Sequence, residues 1–468
     1  MKLNQDEQLK AEALARDIDS QLSLTEQCRP YAAQQYRPQA RSFSVLHLDD
    51  VSGIPFLKDI LGVDLYQLRS RVRASTGDLF VATCPAIHDY ERYNQERLQL
   101  GRPEFVHAPA VGLAVEVSAA CRERQVMSSL VETARQKGGM VFHPYMGIEA
   151  VWDLAAQVAE LADVPTAVLA PPPPVTWYAN DKCQMTRLVS NMLGAEWVVD
   201  GIIAANAGEL ARGLGQLAQK HSKVALKMAR CASAMGNRVF ESSQLPVSEQ
   251  ELTQLTRAFL ADKEWVEGED VQAVAWEHSS ASPSTQLWIP PAGEGKIRLD
   301  GVFEQLLEGQ EQVFLGSVPS GLSEELNQSM AHVSLMIGAV YQALGYVGRC
   351  SFDFIVTGSG LRFTECNGRW GGTSTPMHLM DRLFPTGRPA YRARDFVADN
   401  LVGKPFQVLA DALGDRLYDA RTGHGNFILY NMGCLKDYGK FDVISVGSDV
   451  DEASRILEEE LPLLVEAV

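Results

Sequence analysis

The chain has 468 residues, 46% hydrophobic and 22% charged, and its 42 Lys and Arg against 59 Asp and Glu give a formal net charge of −17. That length predicts two to four domains with real cores, and the composition excludes a disordered chain or a disulfide miniature. The acidic balance argues against nucleic acid or an anionic membrane as the main partner, and no apolar run approaches the roughly 18 residues of a membrane-spanning helix.

Residues 1–42 read as a polar helix and an Arg- and Gln-rich connector, and MKLNQDEQLKAEALARDIDS has no apolar core of a secretory signal. The eight cysteines are scattered, with no C-x-x-C pair, so reduced thiols in a cytoplasmic protein are expected. From 43 to 174, SFSVLHL, DLFVATC, EFVHAPA, MVFHPYM and TAVLAPP read as strands. GLAVEVSAACRERQVMSSLVETARQKGG and GIEAVWDLAAQVAELAD between them have helical periodicity. Strands alternating with helices predict a doubly wound parallel α/β sheet. There is no G-x-G-x-x-G, and a scaffold role is the favoured reading of this domain. The run Pro171 to Pro174 is stiff, unable to continue a strand or helix, and marks a domain boundary.

A second unit is expected over 175–385 and a third over 386–468. In the third, GNFILYNM and KFDVISVG read as strands, and Ser448 as the N-cap of a final helix. Residues 441–468 hold eight acids, among them Asp442, and one base, a run that reads as a solvated face rather than a binding site.

The stretch 333–376 carries the chemistry. Val333, Met336, Ile337, Val340, Leu344 and Val347 share a helical face that Gly345 is suited to end. RCSFDFIV and LRFTECN then read as strands joined through TGSG. Cys350, Phe352, Phe354 and Val356 share one face of the first, with Asp353 on the other; Leu361, Phe363, Glu365 and Asn367 share a face of the second. A two- or four-residue loop would put Asp353 and Glu365 on opposite faces. A three-residue loop, Gly358 to Gly360, pairs Thr357 with Leu361 and sets the two acids side by side. Adjacent carboxylates repel unless a cation lies between them. With the Asn367 carbonyl they make a hard oxygen set suited to Mg2+ or Mn2+.

The arrangement of Asp353, Glu365, Asn367, Arg369, Gly371 and Gly372 resembles the metal-binding end of an ATP-grasp enzyme. SPSTQLWI (282–289), GYVGRCSFDF (345–354) and ECNGRWGGTSTP (365–376) are similar, in this order, to runs in the pheganomycin-type peptide ligases of that superfamily. The resemblance implies a grasp domain over 175–385, with a small lobe at about 180–260 and a large lobe at about 261–385, each α+β. It makes 43–174 the preceding domain, and 386–468 an α+β segment completing the substrate site. It implies Lys182 and Lys227 as phosphate ligands and a covering loop, Cys231 to Asn237. Gly236 is the single glycine of that loop, beside Ser233, Ala234 and Asn237. Lys227 alternates with Val224, Leu226 and Met228, whereas Lys223 reads as a solvated neighbour. Glu277 stands where an adenine-contacting acid or a structural carboxylate would, with Trp276 as an apolar wall. Ser282, Ser284, Gln286 and Thr373 fall near nucleotide or acyl substrate, and His278 is assigned no role.

The implied activity is ATP-dependent joining of a carboxylate to an amine through an acyl phosphate, on amino acid or peptide-like substrates in specialised metabolism. ATP and Mg2+ (or Mn2+) are the cofactors. Arg369 and the Gly371–Gly372 backbone would stabilise the acyl phosphate and tetrahedral intermediate. A homodimer is expected, as for many large α/β ligases. The acceptor could instead be a carrier-protein thiol, the enzyme could stop at phosphorylation, or the chain could be a silent nucleotide-binding regulator. The complete set Asp353, Glu365, Asn367 and Arg369 speaks against the last. P-loop, H-E-x-x-H and G-x-S-x-G motifs are lacking.

Overall fold

A computed structural model of the protein describes residues 2–55, 60–231, 235–309 and 312–467. Among them no helix is long and apolar enough to cross a membrane. Three sheets organise these residues.

The first is parallel throughout, in the order β3-β2-β1-β4-β5. Its strands are β1 (Ser44–Leu48), β2 (Leu79–Ala82), β3 (Glu104–His107), β4 (Met140–Pro144) and β5 (Thr166–Val168), each inside a run read as a strand from the sequence. Leu46, Leu48, Val81 and Phe142 pack with Leu130, Val151, Leu154 and Val158 of the flanking helices. The long helix expected before β4 is broken into Val117–Ala120 and Arg124–Lys137. Ser118 N donates to Asp50 Oδ2 at 2.7 Å, which pins the short helix to the end of β1, while the longer one lies along the sheet. The proline run also departs from expectation. Pro173 and Pro174 open helix Pro173–Ala179, because the first helical positions need no N–H donor.

The second sheet is antiparallel, in the order β6-β9-β7-β8. It comprises β6 (Gly201–Ala204), β7 (Lys223–Met228), β8 (Asn237–Glu241) and β9 (Val271–Ala275). Val224, Leu226 and Met228 pack on helices Ala207–Ala218 and Glu249–Asp262, so strand alternation turns Lys227 to the opposite face.

The third sheet has nine strands. They are β10 (Ser279–Ala281), β11 (Pro283–Ile289), β12 (Arg298–Glu308), β13 (Val313–Pro319), β14 (Gly348–Thr357), β15 (Gly360–Asn367), β16 (Ala390–Val397), β17 (Phe427–Tyr430) and β18 (Lys440–Gly447). The path runs β14-β11-β12-β13-β16-β18-β17, with β15 and β10 also pairing β14. Helix Glu324–Ala343 buries Val333, Met336, Ile337 and Val340 against Leu287, Cys350 and Phe352. Leu344 caps it and Val347 lies beyond it, while Gly345 ends it at φ +88°. Helix Gln5–Leu22, closed by a capping box of Asn4 and Glu7, adds Ala11 and Ala15 to the same core. The final helical stretch is capped by Asp449, not Ser448: Asp449 Oδ1 accepts from Glu452 N at 2.8 Å, while Ser448 N is taken by Glu452 Oε2 at 2.6 Å.

Candidate active site

A cavity of about 990 Å³ is lined by the small sheet, the β11 and β14–β15 end of the large sheet, and residues that follow β1 and β4. Lys182, Lys227, Asn237, Glu277, Ser282, Ser284, Gln286, Asp353, Glu365, Asn367, Arg369, Gly371, Gly372 and Thr373 all line it. Gly236 does not; it packs behind the rim, where an added Cβ would meet Cys231 Cβ at 2.8 Å. Ser233 and Ala234 lie outside the described residues.

Asp353 and Glu365 stand directly opposite each other, but a three-residue loop is not the reason. Thr357 pairs with Gly360, leaving a two-residue turn, and this register alone would put the acids on opposite faces. A bulge restores them. Phe354 pairs with Phe363, but Asp353 pairs with Glu365, so Thr364 is extra on β15 and its hydroxyl donates to Asp353 O at 3.0 Å. The bulge also divides the face predicted for β15. Leu361, Phe363 and Cys366 enter the core, and Glu365 and Asn367 enter the cavity.

The charges are matched unevenly. Lys182, 4% exposed, brings Nζ to 3.0 Å from Glu365 Oε2 and 3.3 Å from Cys231 Sγ. Burial works against its charge, but Cys231 and Glu365 outweigh that and hold the ammonium above the usual lysine range. Burial alone would raise Glu365; Lys182, Lys227 and Arg369 instead hold it below the ordinary glutamate value. Lys227 is lowered by burial, with Lys182 adding and Glu365 opposing. Asp353 is pushed up to about 7 by burial and by Glu365. Its Oδ2 accepts from Asn367 Nδ2 at 3.0 Å, which leaves the Asn367 amide oxygen free to act as a ligand.

A divalent metal ion fits this oxygen set. Among the described residues no three or more His, Cys, Asp or Glu side chains form a closed metal group. Two carboxylates and an amide, one carboxylate disfavoured as an anion, make a partial oxygen set of the kind that would suit Mg2+.

The neighbouring parts have distinct work. Lys182 opens helix Lys182–Leu193, capped by Asp181, and its N–H donates to Ala229 O at 2.8 Å just beyond β7. Trp276 and Glu277 follow β9 and face the cavity. Lys223 lines the rim, paired with Glu241 at 2.8 Å. Asn237 begins β8 opposite Lys227, with Oδ1 buried and without a hydrogen-bond partner among the described residues. Ser284 lies opposite Asp353 across β11 and β14. Gln286 is engaged internally, accepting from Ser374 Oγ at 2.7 Å. That hydroxyl also accepts from Gly371 N at 3.1 Å, so the Gly371 N–H is not an open donor. Gly372 is required by packing, because a Cβ would meet the Phe314 ring at 2.3 Å. Arg369 is steadied by Nη1 donating to Tyr145 Oη at 3.2 Å and to Trp370 O at 3.0 Å.

The sequence reading missed the wall built from distant segments. Tyr66 and Arg69 come from the 3-10 helix Val63–Arg73, Tyr145 from the end of β4, and Asp395, Lys440 and Asp442 from β16 and β18. The alternating arginines of LRSRVR were an available signal. Asp442, counted with a solvated acidic run, instead lines the cavity.

No protein-family model and no curated protein matches the sequence. Solved structures do. N5-carboxyaminoimidazole ribonucleotide synthetase from Thermus thermophilus superposes with a TM-score of 0.51 at 15% identity, over 91% of this chain and 99% of that one. Carboxyaminoimidazole ribonucleotide synthase from Aspergillus clavatus, complexed with ATP, gives 0.52 at 13% identity over 91% and 99%. The biotin carboxylase domain of Hydrogenobacter thermophilus 2-oxoglutarate carboxylase, in complex with MgADP, ADP and bicarbonate, gives 0.53 at 13% identity over 91% and 93%. These are ATP-grasp enzymes, and the parallel sheet followed by antiparallel lobes is the fold the motif resemblance implied.

Proposed function

We propose that the chain is an ATP-dependent carboxylate–amine ligase that forms an amide through an acyl phosphate, with amino acid or peptide-like substrates, as the resemblance to pheganomycin-type peptide ligases implies. The observation that carries this reading is the convergence of Lys182, Lys227 and Arg369 on the adjacent Asp353 and Glu365 in one cavity. Such a reaction needs positioning and charge neutralisation more than a protein nucleophile.

Lys182 and Lys227 would hold phosphate oxygens, and Arg369, fixed by Tyr145, would hold the acyl phosphate and the tetrahedral oxyanion. Asp353, Glu365 and the Asn367 amide oxygen would hold Mg2+ or Mn2+, which when bound neutralises charge on the β- and γ-phosphates. Trp276 supplies an apolar wall and Glu277 an acceptor at the adenine end of the cavity.

The test is ADP release across carboxylic acids and amines, alone and in pairs, with mass spectrometry of the product. The likeness to a biotin carboxylase domain solved with MgADP and bicarbonate adds bicarbonate to the acids worth trying. An amide that needs both substrates and survives neutral hydroxylamine supports the reading. A product cleaved by hydroxylamine points to a thiol acceptor, and no ADP from any pair defeats it.

A further inference from the structure

A second set of charged groups lines the same cavity and takes no part in the phosphate chemistry. Asp395 on β16 lies directly opposite Asp442 on β18, and both line the cavity. Lys440 Nζ is 2.7 Å from Asp395 Oδ2, so that pair is neutral. Asp442 has no cation within ion-pair distance among the described residues; its partner is Asn431, whose Nδ2 donates to Asp442 Oδ2 at 2.9 Å. Asn431 is 3% exposed, sits in left-handed backbone geometry at φ +52°, and its Oδ1 has no hydrogen-bond partner among the described residues. Asn431 lies behind Asp442 and does not line the cavity, so Asp442 and Asp395 are the groups that an entering cation would meet. An ammonium group would supply the charge that Asp442 lacks at ion-pair distance. Burial, with Asp395 adding to it, pushes Asp442 up to about 7 against the opposing effects of Asn431, Lys440 and Arg69.

The adjoining wall has the opposite imbalance. Arg69 Nε donates to Asp49 Oδ2 at 3.0 Å, and the same carboxylate also pairs with Arg73. Two guanidiniums share one acid, and the Nη groups of Arg69 have no hydrogen-bond partner among the described residues. The Arg69 guanidinium lies 5.4 Å from the centre of the Tyr66 ring, and Lys440 Nζ lies 5.6 Å from it, so Tyr66 joins the two clusters. Arg69 also stacks at 4.2 Å on Tyr145, the residue that steadies Arg369.

We propose that this wall is the acceptor subsite and that it takes a free α-amino acid as its zwitterion, the ammonium at Asp442 and Asp395 and the carboxylate on Arg69. Its role as an acceptor site rests on the ligase reading, but its selectivity for a zwitterion does not.

The experiment is calorimetric titration of the intact chain, without nucleotide, with each standard amino acid and with the N-acetyl and α-amide forms of those that bind. At least one amino acid binds. N-acetylation and Asp442→Asn each weaken it about tenfold or more, as expected for loss of a charged hydrogen-bonded group. The α-amide binds more weakly than the acid, and Arg69→Gln removes that difference. Binding by no amino acid, or equal binding of the N-acetyl form, overturns the proposal; both comparisons need only the wild-type chain, so a variant that fails to fold does not rescue it. A chain that binds amino acids yet releases no ADP with any substrate pair fails the ligase reading and keeps this one.

Discussion

Asp353 and Glu365 share one cavity but hold their charges for different reasons. Glu365 has Lys182 at 3.0 Å, whereas Asp353 has an amide donor and a neighbouring carboxylate. Glu365→Gln should lower metal-dependent ADP formation by at least about a hundredfold, the scale for losing a charge-stabilising group. Its far-ultraviolet circular dichroism should stay that of the wild type, and undiminished turnover would remove Glu365 from the metal set. A separate residue-scale effect lies under the parallel sheet. His47 is buried, its ring 5.1 Å from that of His143, and burial pushes it down to about 4 despite Asp78 at 3.5 Å. Unfolded histidine titrates near 6.5, so the unfolded chain takes up the proton first as pH falls. Stability is whole above about 6.5 and is lost progressively toward 4, by about 3 kcal/mol from this residue. Melting curves over that range should show the decline, and His47→Gln should make it shallower; an unchanged slope would mean that His47 protonates as readily folded as unfolded.

The β14–β15 hairpin shows how an element can reach its expected geometry by an unexpected route. Periodicity gave both strands, the core face of β14 and the side on which Lys227 projects, because each is a local alternation of apolar and polar residues. The bulge at Thr364 left no such mark, since one unpaired residue alters the register without altering composition. Deleting Thr364 should therefore straighten the ladder with Glu365 still opposite Asp353 and Cys366 opposite Phe352, so ADP formation should persist. Loss of ADP formation without loss of fold would show that the bulge itself, and not only the pairing it allows, shapes the site. The glycines after β15 separate into two uses. Gly371→Ala meets only Ser374 Oγ at 3.8 Å and should be tolerated, whereas Gly372→Ala drives a methyl into Phe314. The latter should cost about 1–3 kcal/mol. Adding Phe314→Ala should recover part of that loss in denaturant unfolding; no recovery would place the strain elsewhere.

At the scale of the molecule, residues far apart in the chain share one cavity wall, which is why local patterns revealed the Lys227, Asp353 and Glu365 end and not the Tyr66, Arg69 and Asp442 end. Asp442 reads as surface in a strongly acidic terminal segment because nothing in KFDVISVG tells which face will meet a cavity. Lys182 joins the parts more directly. Its N–H holds Ala229 beyond the small sheet, its side chain holds Glu365 of the large sheet, and Lys227 lies close enough to be lowered by it. The two lysines should then respond differently when removed. Lys182→Ala takes the ion-pair partner from a half-buried Glu365 and should lower the melting temperature of the nucleotide-free protein. Lys227→Ala removes a desolvated charge beside a like one and should leave that temperature unchanged or higher. Nucleotide at a hundred times its dissociation constant should stabilise the wild type by about 2.7 kcal/mol. In a chain of this length that is a rise of roughly 3 °C, and it should shrink in both variants. A Lys182→Ala protein that melts with the wild type would mean that this lysine serves the phosphates alone and does not hold the two sheets together.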